Sequence, residues 1–182
     1  MIENYKLVKA SKIVISQLML PSYTNFSGKI HGGYILSLLD QIAFACASKF
    51  SGHYCVTASV DTVDFLNPIE VGELVTMKAS VNYVGRSSMI VGIRVEAENI
   101  QNGKVKHCNS SYFTMVAKDE KGNNVEVPGL IISNDDELKR FCNCIKQLSL
   151  KKDRNQFEEV FDYHSNEVLE KLKSYRVKLE DF

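Results

Sequence analysis

The stretch from Tyr34 to Ser48 limits the possible folds of this chain most strongly, because it has the length of a helix and is apolar on nearly every side. Its apolar residues recur at intervals of three, four and seven positions, which predicts an α-helix. A helix that is apolar over most of its circumference is buried over most of it. We therefore expect a sheet to wrap this helix, or a second copy of the chain to cover what the sheet leaves exposed. The main apolar stripe consists of Ile35, Leu38, Leu39, Ile42 and Cys46.

The remainder of the first 130 residues is rich in β-strand patterns. Asn102-Gly103 and Lys121-Gly122 are typical of turns, and the first pair strongly indicates a hairpin. A single helix against a long antiparallel sheet gives the α+β class. The predicted strands lie within residues 11–20, 54–66, 73–84, 87–99 and 105–119.

Nearly half of the charged residues lie after residue 130. We therefore predict a globular domain over residues 1–130 and a charged helical extension over residues 131–182. Asn134 precedes three acidic residues and is placed to cap a first helix in this extension. A second helix is predicted around residues 155–175.

The overall composition argues against several classes of protein. Lys+Arg and Asp+Glu both number 22, and this balance offers no basic surface for nucleic acid or for a membrane. The N-terminal residues do not form a signal peptide, and no apolar run reaches the length of a membrane helix. The five cysteines lack paired spacing, which indicates reduced thiols and a cytoplasmic protein. The four histidines show no spacing suited to a metal site.

Asp40 is the only charged residue between Tyr34 and Ser48, and no Lys or Arg lies within four positions of it. Burying an unpaired carboxylate is costly. Asp40 is therefore either an acid at a wet edge of the helix, bonded to a neighbouring group, or a carboxylate in a dry cleft, where desolvation increases its basicity.

The motif His31-Gly32-Gly33 precedes this helix. Two glycines at a helix start let a ligand approach the backbone closely, and the first amides of a helix are free donors. Together with the positive end of the helix dipole, they suit an anion or a carbonyl oxygen that is becoming one. The same residues also suit a tight turn into the helix, and we interpret His31 as structural.

Three segments in this order and spacing resemble the hotdog-fold acyl-CoA thioesterases, specifically the cytosolic acyl-CoA hydrolase type. The resemblance covers about residues 10–130, and its segments are "NFSGKIHGGYILSLLDQIA", "TASVDTVDFLNPIEVGE" and "VGRSSM". It implies a curved antiparallel sheet around one central helix, pairing of two subunits into a dimer, and in many members a hexamer built as a trimer of dimers.

The resemblance also implies hydrolysis of an acyl-CoA to a free acid and CoA. It assigns the role of general base or nucleophile to Asp40, placement of the water or thioester to Asn25, and polarisation of the carbonyl to the amide of Gly32 or Gly33. Two positions depart from the family pattern. Ser27 stands where many single-domain relatives have a second Asn, and His31 where many have Phe.

Coenzyme A is part of the substrate in such a reaction, and no separate cofactor is expected. With the family in view, the hairpin Gly85-Arg86-Ser87-Ser88 is the predicted CoA contact, because Arg86 suits phosphate and the serines offer hydroxyl groups. Asn67 is expected beside the same channel, although it is first of all a turn residue.

Helix geometry adds a prediction about assembly. Asp40 follows Gly32 by eight residues, which places them about 12 Å apart along a helix axis. A reacting carbon must lie within about 3.5 Å of the attacking atom, and its oxygen about 3 Å from the polarising donor. One helix cannot supply both groups to one carbonyl, so the site would combine Gly32 or Gly33 of one subunit with Asp40 of another.

Two other functions fit parts of the pattern. A hotdog dehydratase would need His31 or His53 as an acid–base group. A non-catalytic acyl-CoA sensor would use Asp40 only to position its ligand. A serine or cysteine nucleophile is not indicated, because the chain lacks a Gly-x-Ser-x-Gly elbow and a Cys–His signature.

Overall fold

A computed structural model of the protein describes residues 4–160, 164–172 and 175. The chain divides into two compact units, Met1–Cys144 and Ile145–Phe182. The domain boundary predicted near residue 130 from charge density stays a prediction. The strands are β1 (Tyr5–Leu7), β2 (Ile13–Leu18), β3 (Tyr54–Val60), β4 (Glu73–Val84), β5 (Ser88–Asn99), β6 (Lys104–Lys118) and β7 (Gly129–Ile131). The helices are α1 (Gly32–Ser51), α2 (Asp135–Val160) and α3 (Asn166–Leu172), with short 3-10 turns at Val8–Ser11 and Pro21–Tyr23.

Five strands form one antiparallel sheet in the order β2-β4-β5-β6-β3, which curls around α1. Alternate residues of the long strands face the helix, as a strand period of two requires. The expected α+β hotdog architecture is thereby confirmed. The largest fully buried side chains lie between α1 and the sheet: Ile35, Leu39, Ile42, Phe50, Met77, Val81, Met89, Val91, Phe113 and Met115.

Helix α1 is buried on one side and open on the other. The helix ends at Gly52, whose φ of 79° is a left-handed conformation that favours glycine at a helix C-terminus.

The sheet covers only part of the apolar circumference of α1 that the sequence predicts, and the open face carries two large apolar side chains. The exposed residues of this face are Leu36, Ser37, Asp40, Gln41 and Phe44.

The segment predicted as one strand over residues 54–66 leaves the β-ladder after Val60. A register shift between Thr57 and Ser59 marks where the pairing becomes irregular. The following residues still run beside β6, because the Asp61 amide donates to Tyr112 O and the Leu66 amide to Cys108 O. The alternating pattern therefore identifies an extended segment correctly but overstates the length of the strand.

The small parallel pair of β1 and β7 was not predicted from the sequence. In this pair the backbone of Gly129 lies against the ring of Tyr5, and a Cβ at Gly129 would come within 2.3 Å of that ring. A three-residue strand is too short for its periodicity to be recognised.

Helix α2 begins as predicted, because Asn134 Oδ1 accepts the Glu137 amide at 3.0 Å. Its first turns pack on the outer face of the sheet, where Phe141 lies against Tyr83 with ring centroids 5.4 Å apart. Cys144 is fully buried. The expectation of a second helix from about residue 155 is wrong in its start, since α2 continues to Val160 and α3 covers only Asn166–Leu172. The predicted end of this helix at residue 175 stays a prediction, because residues 173–174 and 176–182 lie outside the described part of the chain.

No helix within the described part of the chain has the length and apolar character needed to cross a membrane.

Candidate active site

The carboxylate of Asp40 is held by a hydroxyl group on the neighbouring strand. Thr57 Oγ1 donates to Asp40 Oδ1 at 2.6 Å, joining β3 to the middle of α1. The same hydroxyl lies 3.5 Å from Met115 Sδ on β6. Asp40 is exposed in the single chain. Dry surroundings for this carboxylate therefore require a second subunit.

Thr57 was not predicted from the sequence, although its position in the alternating pattern of β3 indicates its direction. Residues two apart on a strand share a face. Since Cys55 is fully buried against the core, Thr57 is on the side of β3 that faces the helix. A hydroxyl on that face is a candidate partner for the one acid of the helix.

Asn25 organises the loop before α1. Its side-chain oxygen accepts hydrogen bonds from the Ser27 amide at 2.9 Å, the Ser27 hydroxyl at 2.7 Å and the Lys29 amide at 3.2 Å. Ser27, the first departure from the family pattern, thus supports the conformation of Asn25 directly. The amide nitrogen of the Asn25 side chain has no acceptor among the described residues.

The two candidate glycine amides at the start of α1 differ in their hydrogen bonding. His31 is the N-cap residue, and its Nδ1 accepts the Gly33 amide at 2.9 Å. This confirms a structural role for His31. The Gly32 amide has no acceptor among the described residues, and it lies at the positive end of the helix. Of the two predicted donors, Gly32 is therefore the one that is available.

Aromatic residues pack beside this helix start. Phe65 lies over Gly32, with its ring 3.4 Å from the position that a Cβ on Gly32 would take. The rings of Tyr23 and Tyr34 stack with centroids 4.0 Å apart. Burial raises the pKa of Tyr34, and the neighbouring phenol of Tyr23 raises it further.

The predicted CoA-binding hairpin is a tight turn between β4 and β5. The Gly85 amide donates to Ser88 O at 2.8 Å, which closes the turn. Arg86 is exposed, while its backbone oxygen accepts the Val127 amide at 2.9 Å. The backbone is thus fixed, and the guanidinium has no hydrogen-bond or ion-pair partner among the residues that the structure describes. The hydroxyls of Ser87 and Ser88 are half-buried beside it.

Asn67 lies far from this hairpin within one chain. Its side chain donates to His107 O at 2.8 Å, near the start of β6, whereas Ser88 pairs with Val116 near the end of β6. Nine residues of strand separate these two points, or about 30 Å. The predicted CoA contacts at Asn67 and at Arg86 are therefore not brought together by a single subunit.

The site residues thus form two groups. The helix-start group contains Asn25, Gly32, Gly33 and Asn67, and the Ile30 amide joins its two loops by donating to Ile69 O at 3.0 Å. The second group, called the Asp40 group, contains Asp40 and Thr57. These residues adjoin Met115 and the end of β6 that pairs with the hairpin. Among the residues that the structure describes, no cluster of His, Cys, Asp and Glu is arranged to hold a metal ion.

Comparison with known sequences identifies relatives of this chain. The profile of the thioesterase superfamily matches residues 27–104. Protein VdlD of Helicobacter pylori is 40% identical over 141 residues, which cover 78% of this chain and 80% of that protein. YkhA of Bacillus subtilis, described as an acyl-CoA thioester hydrolase, is 31% identical over 154 residues, which cover 85% of this chain and 90% of that protein.

Solved structures agree with these relatives. A hexameric acyl-CoA thioesterase superposes with a TM-score of 0.81 at 33% identity, over 83% of this chain and 97% of that one. The acyl-CoA hydrolase of Staphylococcus aureus, solved with butyryl coenzyme A, coenzyme A and coenzyme A disulfide, superposes with a TM-score of 0.78 at 31% identity, over 93% and 99%.

The Staphylococcus aureus hydrolase has also been solved as alanine variants of one asparagine, one aspartate and one threonine. In that protein the asparagine precedes the aspartate by fifteen residues, and the aspartate precedes the threonine by seventeen. Asn25, Asp40 and Thr57 have the same spacing here. The sequence identities, the matched lengths and the shared fold lead to one conclusion: the chain belongs to the thioesterase superfamily, within its group of hotdog-fold acyl-CoA thioester hydrolases.

Proposed function

We propose that this protein hydrolyses acyl-CoA thioesters to a carboxylic acid and CoA, with Asp40 as the general base or nucleophile. The observation that carries the proposal is the hydrogen bond from Thr57 to Asp40 Oδ1. It fixes the carboxylate on a rigid helix, while Oδ2 has no donor among the described residues and is available for a water or a substrate. Among the residues that the structure describes, no histidine is a hydrogen-bond partner of Asp40, which disfavours the dehydratase alternative.

The reaction needs a group that stabilises negative charge on the thioester oxygen. The Gly32 amide suits this role because it points out of the helix start and adds the helix dipole to its own hydrogen bond. Gly33 can share the role only when His31 releases its amide. Asn25 lies on the adjoining loop, and we assign to it the orientation of the thioester or the attacking water.

A complete site takes the helix-start group of residues from one subunit and the Asp40 group from another. Gly32 and Asp40 lie about 12 Å apart along α1, too far to serve one carbonyl. The exposed strip of Leu36 and Phe44 beside Asp40 offers an apolar surface for the partner. Relatives of this fold that are hexameric support such an assembly, and we propose a hotdog dimer as its unit, within a trimer of dimers.

Binding of CoA is assigned to the hairpin Gly85-Arg86-Ser87-Ser88, where the Arg86 guanidinium suits phosphate oxygens. Asn67 is assigned to the same CoA through the other subunit, because one chain holds the two contacts about 30 Å apart. CoA is the substrate carrier, and the proposal needs no other cofactor and no metal.

Two chemical routes use these groups in the same way. In the first, Asp40 takes a proton from a water, whose oxygen adds to the thioester carbon. In the second, Asp40 itself adds to that carbon and forms an anhydride, which water then opens. In both routes the bond from carbon to sulfur breaks and CoA leaves as the thiolate, which takes up a proton.

Thiol release from a panel of acyl-CoA substrates, from acetyl to palmitoyl, tests the proposal. Wild type should turn over at least one chain length, and Asp40→Asn should lower the rate at least about 100-fold, or ~2.7 kcal/mol of barrier. If wild type binds the panel and hydrolyses none of it, the protein is a binding module and the proposal is wrong. Equal rates for wild type and Asp40→Asn would remove Asp40 from the chemistry.

A further inference from the structure

A cavity of about 400 Å³ lies on the outer face of the sheet, beside the first turns of α2. This is the face opposite α1, since its residues alternate with those that pack against the helix. The volume is within the range of small-molecule sites. The polar and charged residues of its wall are Lys12, Lys78, Ser80, Asn82, Arg94, Ser110, Tyr112 and Arg140.

The strand register arranges these side chains in two neighbouring rows. In the first row Lys78, Arg94 and Ser110 lie side by side on β4, β5 and β6. In the second row Ser80 and Tyr112 flank Gly92, also on adjacent strands. Adjacent strands are about 4.8 Å apart, so donors in each row are spaced to contact one compact ligand.

The floor of the cavity is polar although it is buried. Ser80 is 5% exposed and Asn82 is 6% exposed, and the Ser80 hydroxyl donates to Asn82 Oδ1 at 3.0 Å. The Asn82 amide nitrogen lies over Gly92, where a Cβ would come within 2.1 Å of it. Glycine at position 92 thus lets an amide donor lie flat on the sheet. If the only role of these buried residues were packing, we would expect apolar side chains at the floor of the cavity.

The wall of the cavity carries more positive than negative charge. Lys78 and Arg94 share one carboxylate, that of Glu96, at 2.6 and 2.7 Å. Lys12 pairs with Glu137 at 3.6 Å. Arg140 makes no ion pair with any residue that the structure describes. The chain as a whole is neutral, so this local excess of two positive charges is a concentration of cations at one place.

We propose that this outer cavity binds a phosphate-bearing small molecule, with the phosphate held between Arg140 and the row of Lys78 and Arg94. Guanidinium groups match phosphate oxygens in pairs, and the amide of Asn82 and the hydroxyl of Tyr112 add neutral donors. The cavity is separate from the proposed catalytic groups, because Asp40 belongs to α1 on the opposite side of the sheet. The inference does not depend on the proposed hydrolysis.

Calorimetric titration of the full-length protein with pyrophosphate, in a low-salt buffer free of phosphate, tests the proposal. Wild type should bind one pyrophosphate per chain at this cavity. Arg140→Gln and Arg94→Gln should each weaken binding about 10-fold or more, since each removes a charged hydrogen-bond donor. Lys104→Gln is the matched control, because it removes one positive charge from an exposed residue at the start of β6, outside the cavity. All three variants should keep the far-UV circular dichroism of wild type.

A titration of Arg86→Gln separates this cavity from the predicted CoA hairpin. Binding that survives in Arg86→Gln and is lost in Arg140→Gln and Arg94→Gln supports the outer cavity. Binding that is lost in Arg86→Gln alone places the phosphate at the hairpin and overturns the proposal. It is overturned as well if wild type shows no binding up to about 10 mM pyrophosphate, or if Lys104→Gln weakens binding as much as the cavity variants do.

Discussion

Thr57 on β3 donates its hydroxyl to the carboxylate of Asp40 on α1, and the 2.6 Å distance is that of a strong hydrogen bond to a charged acceptor. The bond joins strand β3 to the exposed face of helix α1. It therefore orients a carboxylate that packing alone would leave free to rotate.

Replacement of Thr57 by Val keeps the shape of the side chain and removes the hydroxyl. Because a hydrogen bond to a charged group contributes about 1.5–3 kcal/mol, we expect the rate of thiol release to fall about 10- to 100-fold. Thr57→Ser, which keeps the hydroxyl, should stay within a few-fold of wild type. Thiol release with the best substrate of the panel measures both. If Thr57→Val were as active as wild type, the hydroxyl would have no part in orienting Asp40.

His31 should affect stability through its role as N-cap. Its Nδ1 accepts the Gly33 amide, and loss of such a cap costs about 0.5–2 kcal/mol. Denaturant unfolding should therefore show His31→Ala to be less stable than wild type by this amount, whereas His31→Asn, which keeps an acceptor, should lie between the two. Equal stability of His31→Ala and wild type would contradict the capping role.

Sequence periodicity predicted the long elements of this fold because their burial repeats over many residues. Strands β4, β5 and β6 lie within one residue of their predicted limits, and helix α1 extends two residues before and three residues after the predicted stretch Tyr34–Ser48. The short pair of β1 and β7 was missed because it depends on contact between residues more than 120 positions apart. The start of the second helix was misplaced because Phe157 and Val160, counted as its first apolar residues, belong to the end of α2.

Stability in acid should depend on Glu96. Hydrogen bonds from Lys78 and Arg94 lower its pKa from an ordinary 4.5 to about 2. Because the pKa is lower in the folded chain, Glu96 stabilises the fold above about pH 4.5, and this contribution is lost as the pH falls towards 2. The two cations are about half exposed, so the effect is small.

Urea unfolding of wild type and Glu96→Gln at pH 6 and pH 3 measures this contribution. Wild type should exceed the variant in free energy of unfolding by more at pH 6 than at pH 3. A difference that is the same at both pH values would show that the carboxylate is not held by its two cations.

The sequence placed the candidate site only in part. The positions of Asp40, Asn25 and the two glycines follow from the helix pattern and from the family resemblance. The availability of Gly32 rather than Gly33 could not be predicted, because it depends on how the His31 ring turns towards the helix start. The outer cavity could not be predicted from the composition, which is neutral overall, because its cationic side chains come from four separate segments of the chain.

If one active site combines Gly32 of one subunit with Asp40 of another, loss of either group should abolish activity. Gly32→Pro removes the amide donor and suits the first position of a helix, and His31 already has the extended ψ of 127° that precedes proline. Gly32→Ala is its control, because it keeps the amide and brings its Cβ only into ordinary contact with Phe65. Gly32→Pro and Asp40→Asn should each be nearly inactive alone, and Gly32→Ala should be active.

The most direct test is the rate of thiol release after these two inactive variants are unfolded, mixed in equal amounts and refolded together. In a shared-site dimer, half of the dimers are mixed and each mixed dimer holds one site with both Gly32 and Asp40 intact. A shared site therefore gives recovery to about one quarter of the wild-type rate. A mixture that refolds to the wild-type assembly and stays as inactive as its two components would contradict it.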